Sequence, residues 1–144
     1  MTTALDVLEN FSKLNIDKEV KVSIGKTVES LKLLNIEQLK AGQTSKGSKF
    51  QKYRSRDYAE MKNQMNSEPG LGNPDLILTG AFVSSIQVDV GGDSLEITAN
   101  DVHGLFEKYG ENNILGLQDK QQDYYNHEIF YPEFRAKIEE ITGL

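Results

Sequence analysis

The run from residue 84 to residue 90 constrains the fold of this chain more than any other feature. Its isoleucine and two valines alternate with polar residues, which is the pattern of a half-buried β-strand. A Gly-Gly-Asp sequence typical of a tight turn follows, and residues 95–99 alternate again. These residues predict an antiparallel hairpin. Because an isolated hairpin is marginally stable in water, it must pack on helices or pair with another strand.

Apolar residues at helical spacing predict two helices before the hairpin. Thr2 and Thr3 can cap a first helix that runs to about Leu14, and Asp17 can cap a longer second helix. Gly42 is a natural stop for the second helix. The apolar stripes are Leu5, Leu8 and Phe11 in the first helix, and Val20, Ile24, Val28, Leu31, Leu34 and Leu39 in the second.

Three further helical regions are predicted. They cover residues 53–64, residues 102–109 with a stop at Gly110, and a final region capped by Asp119. Pro132 should kink or split the final region, because it lacks an amide proton and clashes with the preceding turn. The apolar residues that share one side are Tyr58, Met61 and Met65 in the first region, and Phe130, Phe134, Ile138 and Ile141 in the last.

The order of these elements predicts an α+β fold, with long helices first, a small central antiparallel sheet and a C-terminal helix packed on it. A length of 144 residues allows one hydrophobic core and therefore one domain. Within this domain we expect a helical region at 1–42, a basic segment with loops at 43–75, the hairpin at 76–100 and a C-terminal helical region at 101–144.

Composition excludes several classes of protein. The absence of cysteine rules out disulfides, cysteine-based zinc sites and thiol catalysis. No apolar run approaches the roughly 20 residues that span a bilayer, and the N-terminus lacks the basic and apolar regions of a secretory signal. We therefore expect a soluble protein inside a cell, with no membrane partner.

Charge is unevenly distributed along the chain. Residues 1–62 contain 12 Lys and Arg against 8 Asp and Glu, whereas residues 63–144 contain 4 against 14. A basic half and an acidic half allow copies of the chain to associate head to tail, because opposite charges steer association. Solvated surface that happens to be segregated explains the same counts, so both interpretations stay open here.

The segment 40–62 combines seven basic residues with two acidic ones and three aromatic rings. Nucleic-acid contact needs cations for the phosphates and aromatic faces for the bases. The pI of about 4.9 for the whole chain argues against an autonomous nucleic-acid-binding protein. The candidate contacts to DNA or to an acidic partner are Lys46, Lys49, Lys52, Arg54 and Arg56.

Catalytic and metal sites have weak support in the sequence. The Thr79-Gly80 pair is not a phosphate loop, since no lysine follows it until Lys108. Asp119, Asp123 and His127 are spaced by four residues, which indicates a solvated helix face more than a metal site. His103 is interpreted as a structural histidine. The sequence predicts no enzyme and no cofactor, and the metal-dependent enzyme is kept only as a formal alternative.

Four sequence stretches, taken in order, resemble the small head–tail joining, neck and tail-completion proteins of tailed bacteriophages. They are KYRSRDYAEMK at 52–62, DLILTGAFVSSIQV at 75–88, FEKYG at 106–110 and ILGL at 114–117. The residues that carry the resemblance are Tyr53, Tyr58, Leu78, Thr79, Gly80, Ser85, Ile86, Tyr109, Gly110, Leu115 and Gly116. Only residues 111–113 connect the last two stretches, where many relatives have a longer loop.

The resemblance implies a non-enzymatic virion protein that forms a ring of identical copies at the head–tail junction. Its implied partners are neighbouring neck, portal-adaptor or tail proteins, and the ring position allows non-specific contact with the DNA in the channel. The implied location is the virion, and the host cytoplasm during assembly. The alternative function is a nucleic-acid-binding accessory module that uses residues 40–62.

Overall fold

The computed structural model describes residues 2–77, 80–92, 94–101 and 103–144 and confirms the predicted α+β class. No helix in these ranges is long and apolar enough to cross a membrane. The helices are α1 Ala4–Ser12, α2 Ile16–Lys40, α3 Arg56–Met65, α4 Ala81–Ser84, α5 Leu105–Tyr109, α6 Glu111–Ile114, α7 Asp119–Tyr124 and α8 Tyr131–Thr142. The strands are β1 Gln87–Val90 and β2 Leu95–Thr98, and a π-helical segment, Tyr125–Phe130, joins α7 to α8.

The N-termini of the first two helices are set by side-chain caps. The Thr3 hydroxyl accepts the backbone N–H of Asp6 at 3.2 Å, and the Asp6 carboxylate accepts the Thr3 N–H at 2.8 Å, which confirms Thr3 as a cap. The prediction for α2 is wrong by two residues, because Asn15 is its cap and accepts the N–H of Lys18 at 3.2 Å. Asp17 instead lies in the first turn, where a carboxylate favours the helix dipole.

The predicted stop at Gly42 is confirmed. α2 ends at Lys40, and Gly42 has a φ of 76°, in the left-handed region that glycine adopts without strain. A Cβ at this position would lie 2.6 Å from the Cβ of Pro69 and 2.9 Å from the carbonyl oxygen of Pro74. The chain after α2 therefore depends on glycine both for its backbone conformation and for its close contact with the prolines.

The buried face of α2 is largely polar, which the apolar stripe did not predict. Leu31, Leu34 and Leu39 of the predicted stripe are buried, whereas Val20, Ile24 and Val28 are only partly buried. The polar residues on the buried face are Glu19, Ser23, Thr27, Asn35 and Gln38. Their spacing of mostly four residues places them on one side of the helix.

Two hydrophobic clusters lie against α2. The larger one contains Leu39, Phe50, Phe82, Val83, Ile86 and Ile114 and joins the helix to α4, the hairpin and α6. The smaller one contains Leu31, Leu34 and Tyr125 and joins α2 to the C-terminal helices. In the smaller cluster the Tyr125 hydroxyl lies 2.7 Å from the Thr27 hydroxyl, so the buried phenol keeps a hydrogen bond.

The predicted hairpin is confirmed, with β1 and β2 antiparallel and Val88 paired with Ile97. It occupies only the second half of the segment 76–100. Residues 81–84 form the helical turn α4 instead of the start of the strand, because Phe82 and Val83 both point into the larger hydrophobic cluster. Such a pair is incompatible with the alternation of a strand exposed on one face.

The C-terminal region departs from the prediction in two ways. The cap of α7 is Gln118, without a side-chain hydrogen bond, and Asp119 is the first helical residue. Helical backbone is not split at Pro132, which is the second residue of α8, the helix that directly follows the π-helical segment. The helix is irregular just before Pro132, in the π-helical segment. A short π-helical stretch of this kind accommodates an extra residue within an α-helix.

Candidate functional site

A pocket of about 800 Å³ lies between the basic segment, α3, the loop before α4, and α5. We call it the cationic pocket. It is lined by Gln51, Lys52, Tyr53, Arg54, Ser55, Tyr58, Lys62, Leu76, Ile77, Gly80, Phe82, His103, Leu105, Lys108 and Tyr109. Its volume falls within the roughly 300–1,000 Å³ of typical small-molecule sites.

The basic segment supplies one wall through a sharp change of direction at Ser55. The backbone N–H of Tyr53 donates to the carbonyl of Gly72 at 2.9 Å and fixes the extended chain before this point. The Ser55 hydroxyl accepts the N–H of Tyr58 at 3.2 Å and starts α3. As a result the rings of Tyr53 and Tyr58 meet edge to face, with centroids 4.9 Å apart.

α5 supplies the opposite wall. The Asp101 carboxylate accepts the backbone N–H groups of Leu105 at 2.7 Å and Phe106 at 2.9 Å, which holds the start of this short helix. One turn later, the Lys108 ammonium lies 5.1 Å from the centroid of the Tyr109 ring, a cation–π contact. The Tyr109 ring also packs edge to face on buried Phe50, with centroids 5.4 Å apart, so the wall is anchored in the core.

A buried ion pair between Lys62 and Asp75 lies at the wall of the cationic pocket. The Lys62 ammonium lies 2.7 Å from the Asp75 carboxylate, and the two side chains are only 6% and 3% exposed. Lys62 also donates to the carbonyl of Ile77, while Asp75 accepts the N–H of Ile77 at 2.9 Å and the Asn66 amide at 3.0 Å. Since its charge is already neutralised, Lys62 contributes to the structure of the pocket more than to its attraction for anions.

The pocket is positive in a chain with a net charge of −6. Lys52, Arg54 and Lys108 are exposed at its lining, and no Asp or Glu belongs to the described residues of that lining. None of the ion pairs found in the described ranges involves these three cations. The positive charge of these three side chains is therefore not neutralised by an ion pair, and it can attract anionic groups to the pocket.

The pKa of Tyr53 is raised both by burial and by a nearby negative charge. Burial of the ring raises the pKa of Tyr53 strongly, and the negative charge of Asp75 raises this pKa further, because each disfavours the phenolate. In the smaller cluster, burial likewise raises the pKa of Tyr125. Both phenols therefore keep their protons in the folded state at pH values where an ordinary tyrosine, with a pKa of about 10, ionises.

We expect the free energy of unfolding to fall as the pH rises above about 10. A raised folded-state pKa contributes stability that is fully present below the unfolded pKa and is lost as the pH rises towards the folded pKa. Urea unfolding between pH 8 and pH 11 measures this slope. Tyr53→Phe should reduce the slope and leave the Tyr125 contribution. An unchanged slope in Tyr53→Phe would contradict the assignment.

The five predicted contact residues lie in different environments in the structure. Lys52 and Arg54 line the cationic pocket. Lys49 donates to a backbone carbonyl, and Arg56 forms an ion pair with a glutamate one turn later in α3. Lys46 is exposed outside the pocket. The structure thus brings two of the five together and adds Lys108, which is 54 residues from Arg54 in the sequence.

The residues that carried the phage resemblance form two groups, apart from Leu78 and Thr79, which lie outside the described residues. Tyr53, Tyr58, Gly80 and Tyr109 line the cationic pocket. The others hold the surrounding backbone: Ile86 is fully buried, Ser85 accepts the Asn100 N–H at 2.9 Å, Gly110 ends α5 with a φ of 89°, and Leu115 and Gly116 follow α6.

The remaining lining residues were not predicted from the sequence. Leu76, Ile77 and Phe82 were expected in the hairpin region and Leu105 in a helix, with no common site. The signal that could have found part of the pocket is the pairing of lysine with tyrosine in both the 52–58 and the 108–109 stretches. His103, which was interpreted as a structural histidine, lies exposed on the pocket lining.

The residues of the formal metal alternative do not form a centre. Across the described ranges, no three His, Asp or Glu side chains are grouped so that they could hold a metal ion. The four-residue spacing of Asp119, Asp123 and His127 assumes one regular α-helix, but the π-helical segment begins at Tyr125 and changes the spacing per turn before His127.

The cationic pocket can therefore hold a group that carries negative charge on an apolar or aromatic body. Its cations lie at the exposed part of the lining, and its walls are tyrosine rings and aliphatic side chains. The chain matches no protein-family model, no curated protein and no solved structure.

Proposed function

We propose that this chain is a structural virion protein of a tailed phage. It forms a ring at the head–tail junction, in the neck or at tail completion, and joins head to tail around the DNA channel without catalysing a reaction. The observation that carries the proposal is the separation of charge. A carboxylate-free cationic pocket lies in a chain whose residues 63–144 hold 14 Asp and Glu against 4 Lys and Arg. Such a chain can bind its own copies through unlike surfaces.

Exposed apolar side chains support an assembly role. Leu5, Leu8 and Phe11 of α1 are exposed along one side of the helix, and Met61 and Met65 of α3 are exposed as well. An exposed apolar stripe such as the one on α1 is typical of protein–protein contacts. The order of the four phage-like stretches supplies the specific setting, and four of the eleven residues that carry the resemblance line the pocket.

The accessory nucleic-acid module has less support than the ring protein. Of the basic residues in 40–62, Lys49, Arg56 and Lys62 are engaged in contacts within the chain. Lys52 and Arg54 lie at a pocket, apart from Lys46, and so do not form a continuous track for a phosphate backbone. The overall negative charge also opposes binding to free DNA.

Inactivation of this gene in the phage that encodes it tests the proposal. We expect full heads and separate, unattached tails in negative-stain images, and normal particles when a plasmid copy of the gene is supplied. Intact infectious particles without the protein would contradict the proposed position. Tight binding of the purified chain to free DNA, strengthening steeply as salt is lowered, would instead favour the nucleic-acid module.

A further inference from the structure

We propose that the cationic pocket of one copy binds an exposed acidic and aromatic face on the C-terminal helices of the next copy. We call this the C-terminal face and define it by Asp123, Tyr124, Glu128 and Tyr131. The inference rests on the proposed self-assembly and names the two surfaces that carry it out.

The pocket has the chemistry of a receptor for such a face. Lys52, Arg54 and Lys108 supply three cations without ion-pair partners in the described part of the chain. The rings of Tyr53, Tyr58 and Tyr109 and the side chains of Phe82 and Leu105 supply apolar walls. An inserted aromatic ring would pack on these walls while neighbouring carboxylates meet the cations, which is the pattern of a buried anchor with a charged rim.

The C-terminal face offers the complementary groups. Tyr124 and Tyr131 are 51% and 54% exposed, a high value for rings of this size. Tyr124 ends α7, Glu128 lies in the π-helical segment and Tyr131 begins α8, so these three exposed side chains follow one another along a continuous stretch of helical backbone. The carboxylates of Asp123 and Glu128 form no ion pair or hydrogen bond within the described ranges.

The two surfaces belong to different parts of one copy. The pocket is built by the basic segment, α3, the loop before α4 and α5, whereas α8 and the π-helical segment pack on α2, and α8 also packs on α1. Tyr124 and Tyr131 remain exposed, so the face does not fill the pocket of its own chain. A pocket on one copy and a face on the next make a heterologous interface, which closes into a ring if the rotation per copy permits.

The same features favour a protein partner over nucleic acid. Apolar side chains such as Leu76, Ile77 and Phe82 form much of the wall, and these side chains do not bind phosphates. The cations cluster at one pocket, whereas a single-stranded chain needs a groove that follows its backbone. A second copy supplies carboxylates and aromatic rings together, at the high local concentration that assembly requires.

Two variants and a matched control test the inference. The pocket variant is Lys52→Ala/Arg54→Ala, the face variant is Tyr124→Ala/Tyr131→Ala, and the control is Lys46→Ala/Arg56→Ala, which removes two cations outside the pocket. All four residues of the first two variants are exposed or outside the core, so each chain should fold; circular dichroism and thermal melting check this. Sedimentation velocity over a range of protein concentrations measures self-association.

We expect the wild type and the control to assemble alike, and each of the other variants to associate at least about tenfold more weakly. Mixing the pocket variant with the face variant gives the sharpest result. Only one contact remains possible, between the intact face of the first and the intact pocket of the second, so a 1:1 dimer that does not grow is expected.

Three results would overturn the inference. A pocket variant that assembles as tightly as the control shows that the copies bind through other surfaces and leaves self-assembly intact. A wild type that stays monomeric at a protein concentration of about 1 mM shows that this contact does not form. The proposed function is judged separately, by particle morphology. Binding of a single-stranded oligonucleotide that is lost only in the pocket variant, without self-association, assigns the pocket to nucleic acid.

Discussion

Replacement of Lys62 by methionine is expected to lower the free energy of unfolding by about 3–5 kcal/mol. The Asp75 carboxylate, 3% exposed and 2.7 Å from the Lys62 ammonium, would then be a buried charge without its counter-ion. The N–H of Ile77 and the Asn66 amide would remain as its hydrogen-bond donors and would not compensate the lost positive charge. Urea unfolding at neutral pH measures the loss.

Two control variants separate the buried charge from the lost side chain. The double variant Lys62→Met/Asp75→Leu removes both charges and should recover most of the stability, because an apolar pair of similar volume replaces an ion pair with little loss. Arg56→Ala breaks the exposed pair with Glu60 in the same helix and should change stability by less than about 1 kcal/mol. Equal losses in the free energy of unfolding for Lys62→Met and Arg56→Ala would show that the buried ion pair does not stabilise the cationic pocket.

Local signals in the sequence were sufficient for much of the fold. The Thr3 cap, the stop at Gly42 and the hairpin all depend on residues within a few positions of each other, and all three were predicted. The helical turn at 81–84 was not, because its apolar residues face a core cluster formed by distant parts of the chain. The sequence also predicted an irregularity at Pro132 itself, whereas the π-helical segment lies just before the proline and contacts α2.

The candidate site was only partly predictable. Lys52 and Arg54 were expected to make contacts because of the local density of charge, and that density says nothing about which cations are already paired. Lys49, Arg56 and Lys62 look equivalent to them in the sequence but have partners within the fold. Lys108 joins the site from α5, and the distance between these elements along the chain hides the pocket from any local pattern.

The polar face of α2 was not predicted, because its hydrogen-bond partners are backbone groups of residues distant in the sequence. The Asn35 amide donates to the carbonyl of Ile114 at 3.0 Å and accepts the N–H of Gly116 at 3.0 Å. The Gln38 amide repeats the pattern one turn later, donating to the carbonyl of Gly116 and accepting the N–H of Gln118, each at 2.9 Å. Two side-chain amides thus pair with residues 114–118 as a neighbouring strand would.

Asn35→Leu is therefore expected to lower the free energy of unfolding by about 2–5 kcal/mol. The substitution would leave the buried carbonyl of Ile114 and the partly buried N–H of Gly116 without their partner. Hydrogen exchange of the backbone N–H groups adds a local measurement. The N–H of Gly116 should exchange faster, whereas the N–H of Gln118, which donates to Gln38, should keep more of its protection from exchange. Asn126→Leu changes an exposed asparagine and should alter stability by only about 0.5 kcal/mol. Equal effects of the two substitutions would show that the amide contacts do not fix this stretch.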